Sequence, residues 1–187
     1  MLPIPEIEVV PAASFIASAS TASKFDSCVF VFTPEFVKNK GTCCSALFGD
    51  VNSNNYVKHM NELMVKDKVF AKEVSLSMLG DGSVLVSSPT GPLTRDYDDV
   101  RRYGDAVAKA IKRLRQGGFR RPLLVVQGPP ESSIDPLKDF SRHLEVSLLA
   151  ALAECHEPLQ TRESNPSYLE ETLIEKIGLV AESEARV

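Results

Sequence analysis

The sequence predicts an α/β fold: a mixed, largely parallel sheet flanked by helices on both faces. Three observations predict it. The run Cys28-Val-Phe-Val-Phe32 is apolar on alternate and intervening positions alike, the pattern of a strand buried on both faces. A strongly amphipathic stretch from Asp98 to Gln116 leads almost at once into a second apolar run, Pro122 to Gln127. Another helical stretch and a last apolar run follow, and helix, strand, helix, strand is the order of crossover units.

In chain order, Glu6 to Val10 reads as a short first strand stopped by Pro11. Residues 11–23 are small and hydroxyl-rich, a loop or a weak helix. The strand Cys28 to Phe32 follows Asp26 and is closed by Thr33-Pro34. Asn52 to Met64 has helical spacing, with Tyr56, Met60 and Leu63 on one side and Asn52 or Ser53 as the cap. Two strands, around Glu73 to Met78 and Ser83 to Ser88, flank Gly80-Asp81-Gly82 at hairpin spacing.

The clearest helix carries one apolar stripe, Val100, Tyr103, Val107, Ala110, Ile111 and Leu114. Asp98 and Asp99 open it, Lys112, Arg113 and Arg115 fill its last turns, and Gly117-Gly118 ends it, which matches the helix dipole. After the strand Pro122 to Gln127 comes the turn Gly128-Pro129-Pro130. A further helix is predicted from Asp135 as cap, with Pro136 at its first position and core residues Phe140, Leu144, Leu148 and Leu152; Pro158 halts it. A polar stretch, Gln160 to Ser167, and a last apolar run, Leu173 to Val180, complete the pattern. The tail from Ala181 to Val187 is helix-forming and ends with no cap, as the beginning of a continuing element would.

At 187 residues the chain can bury a core without disulfide or metal staples, since a domain of this size hides roughly 70% of its unfolded surface. The net charge of −4 argues against a general nucleic-acid binder, yet Arg101 to Arg121 carries +7 and the remainder −11. The four cysteines, Cys28, Cys43, Cys44 and Cys155, follow no disulfide or zinc spacing, which points to a reducing compartment, the cytosol. No Lys or Arg precedes Lys24, unlike a secretory signal or a mitochondrial presequence, and no window approaches the ~18 apolar residues of a membrane span.

Reactive chemistry is hard to assemble from these residues. There is no GxSxG elbow and no HExxH. Cys155 and His156 are sequence neighbours, and neighbours on a helix point roughly 100° apart, so a core thiol beside a solvated imidazole is expected. His59, His143 and His156 are scattered and are expected to be surface groups rather than metal ligands. Gly80-Asp81-Gly82 has hairpin chemistry. Gly128-Pro129-Pro130 sits where an open α/β sheet binds ligands, but its prolines offer no N–H to a phosphate. Asp96, Asp98 and Asp99 are assigned to capping, and the bases of Arg101 to Arg121 to a solvated face or a protein contact.

The second half of the chain resembles a known family. The helix Asp105-Ala-Val-Ala-Lys-Ala-Ile-Lys-Arg-Leu leads into the strand Leu123 to Val126. The helix Phe140-Ser-Arg-His-Leu-Glu-Val-Ser-Leu-Leu-Ala-Ala-Leu then runs into Pro158-Leu-Gln-Thr-Arg-Glu and the strand Ile174 to Val180. This order is similar to the N-terminal, non-catalytic domain of the leucyl (cytosol) aminopeptidase family, and Lys24-Phe-Asp-Ser-Cys-Val-Phe-Val-Phe resembles that family's first D-x-L-V-V strand. The resemblance spans about residues 5–182 and implies a single macro-domain-like, three-layer domain over residues 1–182. Residues 183–187 would begin a truncated interdomain connection.

It also implies a cytoplasmic homohexamer in which this domain serves assembly and access, with its own catalytic domain and sister subunits as partners. Two divalent metals, zinc or manganese, would sit in that other domain, which carries an N-T-D-A-E-G-R-L segment. No such segment occurs in these residues, so no catalytic, cofactor-binding or metal residue is assigned here. Two rival readings remain: a nucleotide or ADP-ribose module using the loop Gly128 to Ser133, and a nucleic-acid contact through Arg101, Arg102, Lys112, Arg113, Arg115, Arg120 and Arg121.

Overall fold

Among the described residues ten elements follow one another: β1 (Glu6–Pro11), β2 (Ser27–Phe32), α1 (Asn55–Lys66), β3 (Ser75–Met78), β4 (Val84–Pro89), α2 (Arg101–Gln116), β5 (Pro122–Val126), α3 (His143–Glu154), α4 (Leu159–Ser164) and β6 (Lys176–Ala181). The computed structural model describes residues 4–12, 24–35, 55–80, 82–129, 138–165 and 173–181. The strands form one six-stranded sheet in the order β1-β6-β5-β2-β4-β3. Every pairing is parallel except β3 with β4, so the mixed, largely parallel sheet is observed.

The alternation of β2 divides the core into two. Cys28, Phe30 and Phe32 face one side with Leu85, Leu123, Val125 and Val180, and α1 covers them with Met60. Val29 and Val31 face the other side with Val86, Leu124 and Val126, beneath Tyr103, Val107, Ile111 and Leu114 of α2. The apolar reading of both faces was therefore legible because each face has its own helical layer. Helix α3 rests on α2, where Gly104 lets the helices close: a β-carbon there would lie 3.3 Å from Val146 and 3.4 Å from Ala150.

The ends of α2 show how sequence sets geometry. Phe119 N–H donates to the Leu114 carbonyl (3.2 Å) and Gly118 N–H to that of Arg115 (3.1 Å), with Gly118 at φ +77°. This is a Schellman closure, and it needs glycine at the left-handed position. Beyond it, Asp26 clamps the entry to β5: its Oδ2 accepts the amides of Arg120 (2.7 Å) and Arg121 (2.9 Å).

Several boundaries differ from expectation. The helix predicted from Asp135 begins instead at His143. Residues 131–137, including the predicted cap, lie outside the described residues, but 138–142 are not helical. Asp139 turns the chain there by accepting the Ser141 amide (2.8 Å), and Phe140 is buried before the helix begins. The polar stretch after Pro158 contains a short helix, α4. Helix α1 is described from Asn55 onward, and its predicted caps Asn52 and Ser53 lie outside the described residues. The hairpin is present: Leu79 N–H donates to the Ser83 carbonyl (2.8 Å), and Gly82 adopts φ +84°. No helix among the described residues is long and apolar enough to cross a membrane.

Candidate ligand edge of the sheet

The parallel strands β2, β4 and β5 end together, at the edge where open α/β sheets expose backbone to ligands. Three hydrogen bonds fasten these ends. Thr90 N–H donates to the Phe32 carbonyl (2.9 Å), Gln127 N–H to the Val31 carbonyl (2.9 Å), and Thr33 N–H to the Gln127 side-chain Oε1 (3.1 Å). Helix α2 adds Tyr103, fully buried, whose ring meets Phe140 edge-on at 6.4 Å and His143 at 5.3 Å. His143 Nδ1 lies 3.0 Å from the Phe140 carbonyl, which places a proton on that nitrogen. Its ring sits over Gly128, where an added β-carbon would be 3.8 Å from Nε2.

Among the described residues, Thr33 Oγ1, Glu35 Oε2 and Tyr103 Oη are buried side-chain oxygens near this edge with no hydrogen-bond partner. Burial, with the Glu35 charge second, pushes the Tyr103 phenol well above its usual range, so it stays neutral. The sequence reading passed over all three. It placed Tyr103 in the apolar stripe, which is right for the ring and silent about the hydroxyl. The available signal was polar Thr33 and Glu35 directly after a strand buried on both faces.

The residues singled out beforehand are dispersed. Cys155 is half-buried, its Sγ donates to the Ala151 carbonyl (3.2 Å), and burial pushes its thiol up to about 11, while His156 is exposed. Burial holds the Cys28 thiol at about 12. Neither thiol is a nucleophile at neutral pH. Cys43 and Cys44 lie outside the described residues. His143 and His59 are not the surface groups expected: the first packs on Tyr103, and the Nε2 of the second is buried without a partner. His59 lines a cleft of about 350 Å³ with Asn55, Lys58, Glu62, Leu79 and Gly80. Among the described residues, no three or more His, Cys, Asp or Glu side chains are grouped to hold a metal ion.

Of the acids assigned to capping, Asp99 accepts the Arg101 amide (2.9 Å), as a cap does. Asp98 does something else. Its fully buried carboxylate receives both the Arg95 and Arg102 guanidinium groups and the Arg95 amide, tying the β4–α2 loop to the helix. The basic stretch is likewise divided by local acids: Arg101 pairs with Asp99, Arg102 with Asp98, Arg115 with Glu157 and Arg120 with Glu175.

Searched against protein-family models, the chain matches none. It is 30% identical over 168 residues to a Caenorhabditis elegans protein named as a "putative aminopeptidase". The chain is thus similar in sequence to a part of that protein, and its fold is a macro-domain-like α/β sheet. The match takes in 88% of the chain and 29% of that relative's length. Among solved structures, a mutant of tomato leucine aminopeptidase superposes with a TM-score of 0.57 at 11% identity, over 97% of this chain and 33% of that one. A Trypanosoma brucei macrodomain in complex with ADP superposes at 0.52 and 10% identity, over 96% of this chain and 64% of that one. At such identities both likenesses speak for the fold alone, and they agree with the sheet and its helical layers described above.

Proposed function

We propose that this aminopeptidase-related domain is the non-catalytic, N-terminal part of a leucyl aminopeptidase-like metalloexopeptidase, serving assembly and access to a separate catalytic domain. The observation that carries the reading is the 30% identity with a relative more than three times as long. The ionisable residues described above agree with it, since burial keeps the Cys28 and Cys155 thiols protonated at neutral pH and Asp98 and Asp99 are engaged by arginines. In this reading the zinc or manganese pair and the water it activates belong to the other domain. The partners are that domain and sister subunits in a homohexamer, in the cytoplasm. The purified chain is expected to release no leucine from leucine amides with manganese or zinc added. Metal-dependent turnover by the pure chain would refute the assignment.

A second reading draws on a specific observation, the likeness to a macrodomain in complex with ADP. The corresponding function is nucleotide or ADP-ribose binding at the edge formed by Thr33, Thr90 and Gly128. Titration calorimetry with ADP and ADP-ribose separates the two. Under the leading reading neither ligand gives saturable heat, and micromolar binding of either would put the second reading first.

A further inference from the structure

The two faces of β3 and β4 are unlike. On the side that α2 covers, these strands present Leu76 and Val86, and Ser88 donates its hydroxyl to the Ala106 carbonyl (2.8 Å). On the side that α1 covers, they present Leu85 together with Ser75, Ser77 and Ser87. The register sets this out. Ser75 stands directly opposite Ser87 and Ser77 opposite Leu85, and residues that oppose each other in an antiparallel pair share one face.

The hydroxyls of Ser75, Ser77 and Ser87 are buried and have no hydrogen-bond partner. Opposed β-carbons in such a pair lie on the order of 5 Å apart, so Ser75 and Ser87 sit side by side. His59 of α1 adds a fourth group of the same kind, its Nε2 buried and unpartnered. The side chain of His59 lines the cleft of about 350 Å³ in which α1 meets the hairpin at Leu79 and Gly80. Leu79 follows Ser77 by two residues and belongs to the core under α1, so cleft and serines adjoin along one face.

The two helical layers also differ in how they are seated. Tyr103, Val107, Ala110, Ile111 and Leu114 of α2 are all wholly buried. Among the described residues of α1, Met60 is wholly buried, whereas Tyr56, Leu63 and Met64 are only partly covered. An apolar floor holds a helix down, because lifting it exposes hydrocarbon to water. Unsatisfied hydroxyls work the other way: each is desolvated while the helix is down and gains water as a partner when it is up. Segments with few buried apolar contacts are the ones that open locally at low free energy.

We propose that α1 is the layer of this domain that opens: it lifts from β3 and β4 as a unit, with the sheet intact, and admits water to Ser75, Ser77, Ser87 and His59. The movement is a property of these residues and does not depend on the role given to the domain above. Hydrogen exchange on the purified chain tests it. The amides of Met60, Leu63 and Met64 are expected to exchange at least about a hundredfold faster than those of Val107, Ile111 and Leu114, at rates that low urea leaves unchanged, as the opening of a small unit does.

Replacing the serines together, by Ser75→Ala, Ser77→Ala and Ser87→Ala, removes the penalty of the closed state without adding bulk. It should slow the urea-independent exchange of α1 by at least about tenfold. Ser88→Ala, on the other face, loses a hydrogen bond that is already made and should not slow α1. Equal protection of α1 and α2 in the unmodified chain would overturn the proposal, as would a triple variant whose α1 exchanges as fast as before or faster. Should the triple variant fold poorly, Ser87→Ala alone decides, and a slowing of less than about twofold is fatal to the idea.

Discussion

Gly178→Ala is expected to lower the unfolding free energy by about 2–3 kcal/mol, a large share of a small domain's stability. Gly178 lies in β6, between β1 and β5, on the face where Phe25 and Leu123 pack. An alanine β-carbon there would stand 2.5 Å from Phe25 Cζ and 2.6 Å from Leu123 Cδ1. Those side chains are 7% and 4% exposed, so neither has open space to retreat into. The strand cannot drift either, because Gly178 is in register with Glu8 on one side and Leu123 on the other. Urea denaturation measures the loss, and Gly80→Ala, where nothing lies within 4 Å, is the control expected to stay within about 0.5 kcal/mol. Phe25→Leu should recover part of the deficit in the double variant. A Gly178→Ala loss no larger than the control's would mean the sheet has more slack than its packing indicates.

The second large effect is at Asp98. Its carboxylate is held well below the usual range, first by the Arg95 guanidinium and then by the Arg95 amide and Arg102, against burial, which works the other way. A folded-state value below the unfolded one means the unfolded chain binds the proton more readily. The stabilisation is therefore complete above the unfolded value near ~4 and fades as pH falls toward the folded one. Arg95 and Arg102 retain 41% and 29% exposure, so solvent screens part of the attraction, and their charges are not stranded when Asp98 is removed. Asp98→Ala should cost about 2–3 kcal/mol at pH 7, mainly through the lost charge-assisted hydrogen bonds and the Arg95 amide left without its acceptor. The difference between wild type and Asp98→Asn should shrink steadily as pH is lowered below about 4. A gap that stays constant from pH 7 to the acid limb would show that Asp98 acts by shape alone.

Much of the architecture was readable because the strands that matter are short, apolar and bounded by breakers. Cys28 to Phe32 had the pattern of a strand covered on both sides, and Gly117-Gly118 fixed the end of α2 at Gln116, although its start at Arg101 lies three residues beyond the expected Asp98. The start of α3 was misplaced because Asp135-Pro136 is good capping chemistry locally, whereas Asp139 and the burial of Phe140 set the turn that the tertiary structure uses. Asp98 was taken for a cap for the same reason: an acid before a helix looks alike whether it meets backbone amides or two arginines from either side. The edge residues were harder still. A tyrosine in an apolar stripe reveals its ring and conceals its hydroxyl, and only the packing of α2 shows that this hydroxyl is buried.

Gln127 gives the edge its character. Its side-chain oxygen takes the Thr33 amide that a further ladder partner would have taken, and Pro129 soon after has no N–H to continue the pairing. The main chain is thus self-sufficient where the two strands part. With that backbone donor already engaged, any further contact at this point falls to side chains. Side chains at this edge can therefore be exchanged while the paired backbone beneath keeps its shape.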